Sequence, residues 1–131
     1  MKKPLKALIL AAVFVALFLC LTPLSAEAGD YKPVTGEELQ EMMRSGPDMK
    51  IIDVRDAETF KKGHIEGAIN IPYEVAEGRL MKELKPTERI VFVCYGGPTG
   101  DGFAETLVEN NYKDVYSLRG GMRLWKGRVV R

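Results

Sequence analysis

The 131-residue chain lacks the residues from which metal centres are built. It has one histidine, His64, and two cysteines, Cys20 and Cys94, far apart in the sequence. Structural zinc takes four N or S ligands and catalytic zinc three, so no metal site is expected. Charge of one sign is also lacking, the formal net charge being +1, and this leaves no strong field to hold nucleic acid or an anionic membrane surface. No internal repeat or low-complexity tract is present. The longest apolar run, Ala7 to Leu21, is 15 residues, short of the ~20 that a membrane-spanning helix needs.

That run has a different reading. Lys2, Lys3 and Lys6 precede it, and Pro23 to Ala28 breaks it with a small-x-small ending, Ala26-Glu27-Ala28. The pattern is that of a secretory signal peptide over 1–28, cleaved to leave a single domain over 29–131 in the periplasm or outside the cell. An uncleaved anchor is the competing reading, and the shortness of the run opposes it. Cys20 follows Leu19, where lipoprotein processing wants a small side chain, so it leaves with the signal. Cys94 then remains alone in an oxidising space, with no partner for an internal disulfide. A lone exported thiol is either used or deeply buried.

The stretch around that cysteine organises the chain. Ile90-Val91-Phe92-Val93 is an unbroken apolar run and reads as a parallel strand buried on both faces. Cys94 ends it, Tyr95-Gly96-Gly97-Pro98-Thr99-Gly100 forms a glycine-rich loop, and Phe103, Ala104, Leu107 and Val108 recur at helical spacing. The helix is expected to begin near Gly100 or Asp101. Strand, Cys, glycine-rich turn and helix make an anion cradle, because small residues let backbone N–H groups converge where the helix dipole is positive. The amides of Tyr95, Gly96, Gly97, Thr99 and Gly100 can serve; Pro98 has none. A sulfur at that point is set up as a nucleophilic thiolate. The alternative is an inert buried Cys at a strand end.

Elsewhere the chain alternates strands with helical segments. Gly29 to Pro33 reads as a leader. Thr35 and Glu38 form a capping box for a helix carrying Leu39, Met42 and Met43 and ending near Ser45-Gly46-Pro47. Met49 to Val54 is a strand with Asp53 at its carboxyl end, and Asp56 caps a helical turn to Lys62 closed by Gly63. Ala68 to Ile71 is a short strand, Glu74 to Leu84 a helix presenting Val75, Leu80, Met81 and Leu84, and Tyr112 to Leu118 the last strand. Gly120-Gly121 turns into a terminal segment with Met122, Leu124 and Trp125 to bury. The expected fold is α/β, a parallel sheet of about five strands with helices on both faces. Ligands collect beyond the carboxyl ends of such strands, where Asp53 and Cys94 lie.

Four segments together resemble the rhodanese-like family: Ile52-Asp53-Val54-Arg55, Gly63-His64-Ile65-Glu66-Gly67-Ala68-Ile69-Asn70-Ile71-Pro72, Ile90 to Cys94 with Gly97, and Leu118-Arg119-Gly120-Gly121 with Trp125. They fall in the family's order and roughly its spacing, from Val34 to about Lys126. The resemblance implies a sulfurtransferase or sulfur carrier whose Cys94 takes sulfane sulfur from a small donor, holds it as a persulfide and passes it to a thiol or protein acceptor. It implies no metal or organic cofactor. It also implies that Asp53 and Arg55 brace the architecture beneath the loop and that His64 belongs to a structural turn. Arg55 as a substrate contact is the other reading of that residue, and Arg119 and Arg123 are candidates to border the pocket. Tyr116 and Trp125 read as core aromatics.

The loop departs from the family form Cys-x-x-Gly-x-Arg-Ser, with Thr99 at the Arg position and Gly100 at the Ser position. No loop side chain then offers a cation, Asp101 adds negative charge near the mouth, and weak turnover of thiosulfate is expected. Phosphatases and arsenate reductases of this fold carry an Arg six positions after the Cys, and here Gly100 stands there. Phosphoryl transfer without a cation on the equatorial oxygens is poor chemistry. Two further readings are a binding or sulfur-sensing module with an unused Cys94, and a redox or metal-capturing thiol, which the lack of a second thiol or clustered histidines opposes. Nothing in the sequence sets the oligomeric state, and a membrane is met only through the signal peptide.

Overall fold

The computed structural model describes residues 29–131, so the signal peptide read over 1–28 lies outside the described residues. In chain order the elements are β1 (Lys32–Val34), α1 (Gly36–Ser45), β2 (Lys50–Asp53), α2 (Ala57–Lys62), β3 (His64–Ile65), β4 (Ile69–Asn70), α3 (Tyr73–Glu83), β5 (Arg89–Val93), α4 (Pro98–Glu109), β6 (Asp114–Leu118), α5 (Gly121–Leu124) and β7 (Val129–Val130). Five strands form one parallel sheet in the order β1-β6-β5-β2-β4, and β3 pairs antiparallel with β7 in a small second sheet.

Side chains alternate across the sheet and divide the core in two. Ile52, Ile90, Phe92, Cys94 and Val115 face Ala76 and Leu80 of α3 and Ala104, Leu107 and Val108 of α4. Ile51, Val91, Val93 and Leu118 face Leu39 of α1, with Met122 and Trp125 packed against them. Helices therefore cover both faces, and the central strands β2 and β5 are buried along almost their whole length. Burial on both sides is what the continuous apolar runs require.

Helix ends follow their caps. Thr35 and Glu38 close both halves of a capping box on α1, and Asp56 accepts the Thr59 amide at the start of α2.

Several expectations are corrected. The supposed leader contains β1, an edge strand whose Pro33 is tolerated because an edge need not donate from both sides. Helix α4 starts at Pro98 rather than at Gly100 or Asp101, since proline's fixed φ suits a first helical position after Gly97. Val75 and Met81 are exposed on α3, and Leu124 is 56% exposed rather than buried. In α3 the inward positions are Ala76 and Leu80, because the helix sets a small residue against the sheet.

Candidate functional site

The direction in which successive strands are added across the sheet reverses between β2 and β5. From β2 the chain moves outward to β4; from β5 it moves the other way to β6 and, beside it, β1. A crevice opens beyond the carboxyl ends of two neighbouring strands at such a switch point. Asp53 ends β2, Val93 pairs with it in register, and Cys94 follows. The Val54 amide donates to the Val93 carbonyl at 2.9 Å, closing the floor of the crevice.

Cys94 is buried, with 5% of its surface exposed, and the Gly97 amide donates to its Sγ at 2.9 Å. Gly97 sits at φ +119°, a conformation L side chains rarely adopt, which is why the loop has glycine there. Tyr95 and Thr99 are exposed, Gly96 is half-buried and Gly100 is buried. Gly100 passes close over the sulfur: a Cβ on it would lie 3.7 Å from Cys94 Sγ. Of the loop amides, the bond the structure places on the sulfur is that of Gly97.

The loop is held from behind by α5. The Met122 amide donates to the Cys94 carbonyl at 2.8 Å, and the Arg123 amide to the Tyr95 carbonyl at 2.9 Å. In a planar trans peptide the N–H points opposite to the C=O. Drawing these two carbonyls toward α5 therefore turns the amides of Tyr95 and Gly96 away from it. Gly121, at φ +55°, makes the approach possible, because a Cβ there would run into the Cys94 and Tyr95 carbonyls. The sequence marks this glycine pair as a turn; its service to the loop appears only when the two segments meet in space.

Asp53 and Arg55 form a brace. Asp53 is wholly buried, and Arg55 reaches its carboxylate through Nε at 3.0 Å and Nη2 at 2.7 Å. The same Nη2 donates to the Gly63 carbonyl at 2.9 Å. Asn70 Nδ2 donates to the backbone carbonyls of Asp53 and Arg55, at 3.0 and 2.8 Å, tying β4 to the strand end. A buried carboxylate needs such pairing. The charge of Arg55 is thereby matched within the protein.

In front of Cys94 lies a cavity of about 500 Å³. It is lined by Val54, Arg55, Asp56, Thr59, Tyr73, Tyr95 and Thr99 together with Cys94. Arg119 and Arg123 are not among the lining residues, so the one arginine there is the paired Arg55. Hydrogen bonds from the Thr59 hydroxyl and amide hold the Asp56 carboxyl below its ordinary value, so it is charged. Asp101 is not among the residues lining the cavity. Burial, followed by the charges of Asp101 and Glu105, pushes the Tyr31 phenol up. The negative charge beside the mouth belongs to Asp56, which the sequence marked only as a helix cap.

His64 stacks on Phe60 with ring centroids 3.7 Å apart, and its Nδ1 lies 2.9 Å from the Phe60 carbonyl, outside the cavity lining. Tyr116 and Trp125 pack half-buried against the α1-side core.

A parallel α/β sandwich with a glycine-loop thiol at the switch point defines a class of small loop-cysteine domains. The chain matches the Rhodanese-like domain family over residues 35–128 and belongs to that family. It is 35% identical over 83 residues to the thiosulfate sulfurtransferase GlpE of Shewanella oneidensis, covering 63% of this chain and 81% of that relative. It is 30% identical over 105 residues to the putative sulfur carrier protein YrkF of Bacillus subtilis, covering 80% of this chain but 56% of the relative's length. A solved rhodanese-like domain protein of Staphylococcus aureus superposes with a TM-score of 0.67 at 29% identity, over 74% of this chain and 93% of that one.

Proposed function

We propose that the chain is an exported single-domain sulfurtransferase or sulfur carrier that turns over sulfane sulfur on Cys94. The observation that carries the reading is the Gly97 amide on Cys94 Sγ at the inner end of the switch-point cavity. An amide aimed at a sulfur favours its anionic form, which attacks the outer sulfur of a donor R–S–S⁻ or of a polysulfide. A new S–S bond forms on Cys94 as the donor's S–S bond breaks, and its electron pair leaves with R–S⁻. An acceptor thiolate then attacks the terminal sulfur, and the Cys94 thiolate departs. These steps use neither metal nor organic cofactor.

The lining argues for a donor less charged than thiosulfate. Thr99 provides no cation, Arg55 is committed to Asp53, and Asp56 is anionic. A dianion forgoes a charge-assisted contact of about 1.5–3 kcal/mol. A hydrogen polysulfide HSn⁻ or a low-molecular-weight persulfide R–S–S⁻, each with one charge on its sulfur chain, fits better. Export to the periplasm or beyond rests on the pattern of residues 1–28.

Intact mass measurement tests the chemistry. The protein starting at Gly29 is expected to gain one sulfur atom from polysulfide, lose it to dithiothreitol, and gain none as Cys94→Ser. A thiol inert to polysulfide would favour the second reading, a binding or sulfur-sensing module, to which the 5% exposure of Cys94 lends support.

A further inference from the structure

The cavity in front of Cys94 has room for more than sulfur. Its volume of about 500 Å³ falls in the range of roughly 300–1,000 Å³ typical of sites for small organic molecules, so the organic group R of a donor R–S–S⁻ can enter with its sulfur. Two aromatic rings give that room part of its character. Tyr73 opens α3 and is fixed beside the end of β2 by its amide, which donates to the Val54 carbonyl at 3.0 Å, while Tyr95 follows Cys94 in the loop. Both line the cavity, yet Tyr73 is 56% and Tyr95 66% exposed, and neither belongs to the core on either face of the sheet. A tyrosine ring attracts cations to its face as well as apolar groups.

Charge supplies the rest. The charged residues of the lining are Arg55 and Asp56. Arg55 is matched by the wholly buried Asp53 through its forked pair. Asp56 accepts from the Thr59 amide at 2.9 Å and from the Thr59 hydroxyl at 2.6 Å, and among the described residues no Lys, Arg or His is in ion-pair contact with it. Both of its donors are neutral, so its negative charge is uncompensated. A carboxylate accepts about four hydrogen bonds, which leaves each Asp56 oxygen an acceptor position for a ligand. Capping does not require the charge, since Ser, Thr or Asn would cap α2 as well.

We infer that the cavity selects a donor whose organic group bears an ammonium ion: a low-molecular-weight persulfide ⁺H₃N–R–S–S⁻, its ammonium held by the Asp56 carboxylate and the rings of Tyr73 and Tyr95. The Cys94 thiolate attacks the outer sulfur, a new S–S bond forms as the donor's own breaks, and the electron pair leaves on ⁺H₃N–R–S⁻ with the ammonium unchanged. Such a donor is neutral overall and meets none of the repulsion that a dianion meets at Asp56. The identity of the donor rests on the function proposed above; the preference of the site for a cation beside Cys94 does not.

Thiol–disulfide exchange reads that preference without calling on sulfur transfer. The Cys94 thiolate attacks a symmetric disulfide R–S–S–R, forms Cys94–S–S–R and releases R–S⁻, and intact mass follows the rate. The probes are cystamine, which carries ammonium groups, hydroxyethyl disulfide, which is uncharged, and dithiodipropionate, which carries carboxylates; N-acetylcysteine amide supplies the intrinsic ratios of the probes. Relative to that reference, wild-type protein is expected to favour cystamine over the uncharged probe about 5-fold and to disfavour the dicarboxylate. Asp56→Asn keeps the helix cap and is expected to bring the dicarboxylate ratio to the reference and to remove most of the cystamine preference. Tyr73→Leu is expected to lower the cystamine preference alone. Each ratio compares probes on one thiol, so a change in Cys94 reactivity cancels. Wild-type ratios equal to the reference, a preference for the dicarboxylate, or a cystamine preference that survives both substitutions overturns the inference. If cystamine is favoured as expected while no persulfide delivers sulfur to Cys94, the charge preference stands and the sulfur-transfer function falls. Sulfur taken up equally from amine-bearing and uncharged persulfides would leave that function standing and overturn the inference.

Discussion

Gly121 stands directly behind the carbonyl of Cys94, so close that any side chain there would collide with it, and the next amide, Met122, donates to that carbonyl at 2.8 Å. The orientation of the sulfur-bearing loop is therefore set by a segment 27 positions further along the chain. Cys94 follows β5 and its clamp, α5, follows β6, and the sheet places these two strands side by side.

Gly121→Ala is expected to damage both stability and sulfur uptake. A non-glycine residue at φ +55° costs about 1–2 kcal/mol, and relieving the clash must shift the loop carbonyls as well. Urea unfolding should show a loss of at least that size, and persulfide formation should fall more than stability alone explains. Gly78→Ala is the control: the site is in α3 with open space around it, and a gain of about 0.5–1 kcal/mol is expected.

Thr99→Arg should restore a cation at the mouth. Thr99 is exposed on the first turn of α4 and lines the cavity, so a longer side chain has room to reach the entering anion. Steady-state assays with thiosulfate and cyanide should show a gain of roughly 10- to 100-fold in kcat/KM over wild type. Adding Asp56→Asn should raise it further, because asparagine keeps the helix cap while removing the opposing charge. High wild-type turnover of thiosulfate would instead show that the missing cation does not matter.

Arg55→Leu should destabilise without any direct effect on the thiol. It leaves the Asp53 carboxylate buried and unpaired and frees the Gly63 carbonyl, so a loss of about 3–5 kcal/mol is expected in chemical unfolding. Arg55→Lys should recover only part of this, since one ammonium cannot reproduce the planar fork on Asp53. A substrate contact by Arg55 would show differently, as a raised KM in a variant of undiminished stability.

Much of this architecture was legible in the sequence because its signals are local. The run Ile90 to Val93, the Thr35 capping box and the Gly-rich loop each declare an element through neighbouring residues. The missed parts are made by distant ones. β1 is three residues with a proline and is a strand only because β6 offers it an edge. The pairing of His64 and Ile65 with Val130 and Val129 has no periodic signal at so short a length. Asp56 was visible as a cap, and its place in the cavity wall depends on how α2 packs beside the β2 end. That the buried Ser117 hydroxyl of β6 has no hydrogen-bond partner cannot be foreseen at all, since being unpartnered is a property of its surroundings in three dimensions.

Asp114 predicts how the fold fails in acid. It sits at the start of β6 and accepts from Arg89 of β5 at 2.6 Å and Lys32 of β1 at 3.2 Å, so its carboxylate joins three adjacent strands at the end of the sheet away from Cys94. Burial opposes its charge, but the hydrogen bonds from Arg89, Lys32 and Tyr116 outweigh that and hold the carboxyl below its ordinary value. A carboxyl lowered in the folded state binds fewer protons there than in the unfolded chain. Its stabilisation is complete above the unfolded value of about 3.9 and is lost as pH falls through the lower folded one. Asp114→Asn should therefore cost roughly 1 kcal/mol at pH 7, as partly exposed pairs do, with the difference from wild type vanishing in acid below that window. Sulfur uptake by Cys94 should be unaffected at pH 7, because the network lies at the opposite end of the strands from the loop. A stability difference that persists undiminished in acid would place the Asp114 contribution in packing rather than in charge.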